Sequence, residues 1–88
     1  MKIEYDITKS EINIKERGLS FDLVKDFEID SAVIESDNRF DYDEQRFNAI
    51  GYIGNVMYNM TYTMRFDIVR VISLRKADKK EIRKYANT

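Results

Sequence analysis

The sequence predicts an α+β fold. A short N-terminal strand and two helices precede an antiparallel β-sheet of about four strands, and a C-terminal helix closes the chain. Three observations carry this reading. Like elements come in runs instead of alternating, as they would in a doubly wound parallel sheet. The later strands are joined by hairpin-length connections, which only antiparallel pairing permits. Near Ser31 the hydrophobic pattern changes from a helical period to strand-like runs. With 88 residues and no repeat, proline-rich linker or low-complexity stretch, the chain reads as one domain over residues 1–88.

Each element has a local cause. Lys2–Tyr5 reads as a short strand. Thr8-Lys9-Ser10-Glu11 has the capping-box pattern, Thr8 closing onto the Glu11 amide and Glu11 reaching back, and predicts a helix from about Lys9 to Arg17. Gly18 follows where helices end in the left-handed conformation. Ser20 suits the N-cap of a second helix, in which Phe21, Leu23, Val24 and Phe27 form an apolar stripe. Both helices are short, so packing must hold them more than propensity does.

Ala32-Val33-Ile34 reads as the centre of a strand, and residues 37–43 as a polar loop. Arg46–Ile53 and Val56–Thr63 are strands joined by Gly54-Asn55, two residues that tolerate positive φ. Within the latter strand Val56, Tyr58, Met60 and Tyr62 alternate with Met57, Asn59, Thr61 and Thr63, giving one large, mostly apolar face and one smaller, more polar face. Phe66–Leu74 is rich in Ile and Val and reads as the fourth strand of the run. Asp78-Lys79-Lys80-Glu81 is a second capping-box pattern. It opens a helix to about Tyr85 with Ile82 and Tyr85 on one face.

Composition excludes whole classes of chemistry. A domain of this size buries roughly 60–65% of the surface its unfolded chain exposes, so it can fold alone and still gain from a partner. There is no cysteine, which removes disulfides and thiolate metal sites and makes a reducing cytoplasm the expected home. There is no histidine, which removes the usual neutral-pH base and the commonest metal ligand, and with them Ser-His-Asp, Cys-His and HExxH chemistry. No apolar run approaches the roughly 20 residues that span a bilayer, and the charged start Met-Lys-Ile-Glu-Tyr-Asp reads as a strand and not as an export signal, so no membrane association is expected. The net charge of −1 hides a polarity. Residues 22–44 hold nine acidic and two basic side chains, and residues 65–84 hold eight basic and three acidic ones. Such segregation suits a basic face turned toward an anion; the plainer reading is that surface segments differ in charge by chance.

The candidate chemistry concentrates on the last strand. Arg65 lies at the turn entering it, Arg70 within it, and Arg75 and Lys76 at its exit. Arg70 has the same parity as Ile68, Ile72 and Leu74, so these share a face if no bulge intervenes. An arginine among apolar neighbours needs a partner. Guanidinium groups fork onto phosphate oxygens at any working pH, and Tyr58 and Tyr62 on the preceding strand are rings on which single-stranded bases stack. Solvated arginines over a tyrosine core are the alternative. Glu44 and Arg46, two apart, suit a carboxylate that accepts a ribose 2′-hydroxyl proton and an arginine that stabilises the phosphorane; a surface ion pair is the alternative. The acidic stretch Asp37, Asp41, Asp43 and Glu44 lacks the glycine at position six and the glutamate at position twelve of a calcium loop, where Asn48 stands, so no metal and no cofactor are expected. The three glycines are isolated and form no phosphate loop.

Several blocks together resemble a known family. Asn13, Gly18-Leu19-Ser20-Phe21, Glu44-Gln45-Arg46-Phe47-Asn48-Ala49-Ile50-Gly51, Tyr62-Thr63-Met64-Arg65, Arg70-Val71-Ile72-Ser73-Leu74-Arg75-Lys76-Ala77, and Glu81 with Tyr85 are similar, in order and spacing, to the BrnT toxins. The resemblance covers almost the whole chain. It implies a RelE-like, barnase-like sheet and metal-free cleavage of RNA in the cytoplasm. It further implies a BrnA-like ribbon-helix-helix antitoxin as partner, a toxin–antitoxin heterotetramer built through antitoxin dimerisation, and contact with operator DNA only through the antitoxin.

On that reading Arg65, Arg70 and Arg75 hold the scissile phosphate, Glu44 is the base beside Arg46, Tyr62 positions or stacks, and Arg17 and Lys76 add substrate contacts. Where the family commonly has Lys-His before the glycine, this chain has Glu16-Arg17. The alternative function is therefore a catalytically weak or inactive member that binds the antitoxin as a co-repressor module. A plain interaction domain unrelated to toxins is the third reading.

Overall fold

The computed structural model describes residues 1–39 and 43–88; Asp41 of the acidic stretch lies outside the described residues. In chain order the elements are β1 (Lys2–Glu4), α1 (Ile7–Arg17), 3₁₀ turns at Phe21–Asp26 and Ile29–Ser31, β2 (Val33–Ser36), β3 (Arg46–Ile53), β4 (Val56–Arg65), β5 (Ile68–Lys76) and α2 (Lys79–Ala86). The strands form one sheet in the order β1-β5-β4-β3-β2. β1 runs parallel to β5 and every other neighbouring pair is antiparallel. The α+β class is as the sequence predicts. The strand count differs in one respect, because the N-terminal strand joins the sheet as its fifth member.

Two helical details differ from expectation. α1 is capped by Asp6, whose side chain accepts from the Lys9 N–H at 3.0 Å, and not by Thr8. Aspartate is the better N-cap, and Ser10 and Asn13 are the buried residues of the helix. The left-handed Gly18, at φ 73°, ends the helix as expected. The second helix is a 3₁₀ turn capped by Ser20. Its apolar residues Phe21, Val24 and Phe27 recur every third position, which is the 3₁₀ period, so all three enter the core while Leu23 is left at the surface.

α1 docks through polar groups. Ser10 Oγ accepts from the Phe21 N–H at 3.0 Å. The Asn13 amide donates to the carbonyls of Leu19 and Leu74 at 2.8 and 2.9 Å, and its oxygen accepts from the Leu74 N–H at 3.4 Å. β1 pairs with β5 only as far as Arg70, so the Asn13 side chain takes the place of a neighbouring strand at Leu74.

The core lies on one side of the sheet. Ala49, Met60, Tyr62, Val69, Val71 and Leu74 pack against Phe21, Val24 and Phe27. Burying each large apolar side chain contributes roughly 1.5–3 kcal/mol, so this layer dominates stability. A bulge shapes the other side. Tyr62 pairs with Val71 but Thr61 pairs with Ser73, so Ile72 is an extra residue in β5. The alternation therefore flips. Leu74 joins Val69 and Val71 in the core, and Arg70 shares the opposite face with Ser73 and Arg75, not with Leu74 as an unbroken strand would have it.

α2 lies over that opposite face. Its Asp78–Glu81 capping box is present as predicted, and none of its residues is buried. It is held instead by ion pairs and by Tyr85 edge-on to Tyr52, with ring centroids 5.5 Å apart. Among the described residues no helix is long and apolar enough to cross a membrane.

Candidate active site

The face of the sheet away from the core is lined with polar side chains in register. Arg46, Thr63 and Arg70 are paired across β3, β4 and β5; Asn48, Thr61 and Ser73 form the next row, and Ile50, Asn59 and Arg75 the third. Thr61 Oγ1 donates to Asn48 Oδ1 at 2.8 Å and Thr63 Oγ1 to the Gln45 carbonyl at 2.6 Å, so the buried hydroxyls are satisfied. The polar half of the β4 alternation is thus a site floor.

A cleft of about 360 Å³ opens over this floor. Asn48, Asn59, Thr61 and Ser73 form its base, and Arg75 and Glu81 form a wall where α2 begins. Arg17 reaches in from the last position of α1, and Arg39 from the loop after β2. Among the described residues Arg39 and Arg75 are each paired with a carboxylate, Asp37 and Glu81, so Arg17 leaves the cleft with an excess of positive charge suited to phosphate.

The charges differ in how they are held. Arg75 Nη1 and Nη2 donate to the two oxygens of Glu81, each at 2.8 Å. Glu81 also accepts from Asn59 Nδ2 and from the Asp78 N–H. Burial alone would raise the Glu81 carboxyl, but the hydrogen bonds from Arg75, the Asp78 amide and Asn59 outweigh it and bring the pKa down to about 2. Donating to Glu81 raises the pKa of Arg75 in turn. Arg39 forks onto the buried Asp37 at 2.9 and 3.0 Å. Among the described residues Arg17 has no ion-pair partner.

The other predicted site residues divide. Arg70 stands one row from the cleft and pairs with Glu4 at 3.5 Å. Glu44 precedes β3 and faces Arg46 at 4.0 Å, the ion-pair geometry. Arg65 is the last residue of β4, exposed, and shares the parity of Thr61 and Thr63. Lys76 is exposed at the end of β5 and has the parity of core residue Leu74, so it faces away from Arg75. Tyr62 is on the core face, 5% exposed and stacked on Phe47 at 5.4 Å, and burial raises its hydroxyl pKa. A base has no access to a ring in that position, so the stacking role expected of Tyr62 does not fit; Tyr58 is likewise packed against the core.

Asn48, Asn59, Thr61, Ser73, Arg39 and Glu81 line the cleft without having been assigned there from the residue pattern. The alternation in β4 already marked Asn59 and Thr61 as one polar face. Only the bulge brings Ser73 and Arg75 onto it. Among the described residues no group of three or more His, Cys, Asp or Glu side chains could hold a metal ion.

No curated protein sequence matches the chain. The family model for the ribonuclease toxin BrnT, of type II toxin–antitoxin systems, matches residues 5–81, a span that contains α1, the 3₁₀ turns, strands β2 to β5 and the Glu81 end of the cleft. The chain belongs to the BrnT family of ribonuclease toxins of type II toxin–antitoxin systems.

Proposed function

We propose that this toxin cuts RNA in the cleft between Arg17 and Arg75, without a metal, by attack of a ribose 2′-hydroxyl on its neighbouring phosphate. The 2′-oxygen–phosphorus bond forms, the bond to the 5′-oxygen breaks, and the products are a 2′,3′-cyclic phosphate and a free 5′-hydroxyl. The observation that carries this reading is that Arg17 and Arg75 line one cleft over a polar, hydrogen-bonded floor. Fixed guanidinium groups aimed at a phosphate stabilise the charge it gains in the transition state.

In this reading Arg17 and Arg75 hold the scissile phosphate, and Arg46, Arg70 and Arg65 continue the phosphate path along the sheet. The 2′-hydroxyl proton passes to water and water returns one to the departing 5′-oxygen, because Glu44 stands outside the cleft beside Arg46, and Glu81, at about 2, is too weak a base and serves to fix Arg75. Tyr62 supports the floor from the core side. Lys76 faces away and takes no part. The partner is a BrnA-like ribbon-helix-helix antitoxin that covers the cleft in a heterotetramer and carries the operator DNA contacts, and the setting is the cytoplasm.

A second reading has its own observation. The cleft holds no histidine, and the one carboxylate among its described residues stays ionised far below neutrality. A family member that binds its antitoxin with little catalysis would look the same. Cleavage of an end-labelled single-stranded RNA by the purified protein in EDTA separates the two. Cutting that survives EDTA and is lost in Arg75→Ala and Arg17→Ala, both still folded, is the expected result. Folded wild-type protein that binds antitoxin and leaves RNA intact would establish the second reading.

A further inference from the structure

We propose that Phe66 is a base-stacking residue at the outer end of the RNA path, an inference that rests on the nuclease reading above. Phe66 occupies the two-residue turn between Arg65 and Ile68, which are paired across the β4–β5 hairpin. It is 100% exposed, and its φ is 57°. That backbone conformation favours glycine, asparagine or aspartate, and a phenylalanine there meets both a conformational penalty and full hydration of its ring. Neither folding nor packing explains a phenylalanine at this position.

The rest of the site shows what such a ring is suited to. The other described aromatic rings are engaged: Tyr5 packs on Phe21, Phe47 on Tyr62, Tyr52 on Tyr85, and Phe27 and Tyr58 belong to the core layer. Among the described residues the cleft therefore offers phosphate ligands and hydrogen-bonding groups but no aromatic platform. Single-stranded RNA is held by charge on its backbone together with rings on its bases. Phe66 continues the line of β4 beyond the cleft. From Thr61 on the floor the strand passes the Arg46–Thr63–Arg70 row, then Arg65, then Phe66, a path of roughly 16 Å at about 3.3 Å per residue. Among the described residues Arg65 has no ion-pair partner, so the last cation before the ring is open to a phosphate. An RNA strand whose scissile phosphate sits between Arg17 and Arg75 and whose backbone follows these arginines places a base against Phe66. Because every base has a π-face, the contact adds affinity with little sequence preference.

The test compares wild type with Phe66→Asn and Phe66→Trp on an end-labelled, mixed-sequence single-stranded RNA, and on the uncleavable all-2′-deoxy strand of the same sequence. Asparagine suits a φ near 57°, so Phe66→Asn melts no lower than wild type and any loss of binding is not misfolding. The expected result is a KM raised about tenfold with kcat unchanged, the same loss of affinity for the deoxy strand, and wild-type behaviour restored by Phe66→Trp. Wild-type cleavage with a Phe66→Asn KM within twofold of it would overturn the proposal and leave the nuclease reading standing. The same holds if Phe66→Asn weakens only capture by the antitoxin, for the ring then serves a protein contact. A wild-type protein that neither binds nor cuts either strand would overturn the nuclease reading first, and this inference with it.

Discussion

Arg75 and Glu81 meet fork to fork, Nη1 to Oε1 and Nη2 to Oε2, both at 2.8 Å. The same carboxylate accepts from the Asp78 amide at the start of α2 and from Asn59 on the sheet. One side chain therefore completes a helix cap, docks that helix and aims the guanidinium that forms the cleft wall. α2 buries no residue of its own, so its position depends on this junction, on the Lys84–Glu35 pair and on the Tyr52–Tyr85 contact.

The junction should fail in acid at a defined point. The Glu81 pKa is lowered in the folded protein, to about 2, so its contribution is fully present above the ordinary carboxylate range and is lost as pH falls through that range toward 2. The side-chain amide signals of Asn59, followed by NMR from neutral pH downward, should stay constant until well below 4 and then shift as Glu81 takes up a proton. A midpoint at the ordinary value for a free carboxylate would show that the junction does not hold in solution.

Arg75 should not be replaceable by lysine. A lysine ammonium supplies one point charge where the guanidinium makes two parallel bonds to Glu81 while facing the cleft. Arg75→Lys and Arg75→Ala should both lower kcat for RNA cleavage by about 10²-fold or more, the order seen when one transition-state donor is removed. Single-turnover cleavage measures this. Lysine restoring the wild-type rate would mean that charge alone, without fork geometry, is sufficient.

Much of this arrangement could be read in the residues. Arg46–Ile53 has the predicted bounds, Gly18 and Ser20 punctuate the N-terminal half as expected, and the β4 alternation already divides core from floor. The failures have physical causes. A polar residue two positions earlier made a better cap than Thr8. A stripe with spacing three was 3₁₀ where a helical stripe was expected. The bulge at Ile72 reversed the parity of everything after it, and only register with a partner strand reveals such an insertion. Tyr62 illustrates the limit of alternation, which says which residues share a face but not which face meets water. Its neighbours Met60 and Val71 bury it.

Asn13 should be worth more to stability than a polar residue on a short helix suggests. Its amide group makes three hydrogen bonds, two of them to the backbone of Leu74 at the β5 edge. Asn13→Ala leaves those buried groups without a partner and should cost about 1–3 kcal/mol in urea denaturation. Asn13→Asp should cost more, since a carboxylate would face the Leu19 and Leu74 carbonyls without a hydrogen to donate. Equal costs would indicate that packing, and not the hydrogen bonds, fixes α1.

Gly51 is required by a close approach. A Cβ there would lie 3.0 Å from Phe27 Cζ and 3.1 Å from the Ala32 Cβ. Gly51→Ala should destabilise by about 1–3 kcal/mol through overpacking. Phe27→Leu should recover part of that loss when combined with it, because the two residues share the contact and their effects do not add. Additive melting shifts in the double mutant would place the strain against Ala32 instead.

Substitution of Arg17 should tell a weak enzyme from an efficient one. It lines the cleft from the end of α1, without an ion-pair partner among the described residues, at a position where the resembled family pattern carries histidine. Arg17→His exchanges a permanent phosphate ligand for a group that titrates near 6.5. If proton transfer limits the wild-type rate, the variant should cut RNA at least 10-fold faster at pH 7.5, in keeping with general-base contributions of about 10²–10⁴. Its rate should fall as pH drops below about 6.5, because only the neutral imidazole accepts a proton, whereas the wild-type rate should not share that step. A slower Arg17→His with an unchanged pH profile would instead show that the phosphate contact proposed for Arg17 matters more than any base placed there, and would keep water as the proton acceptor.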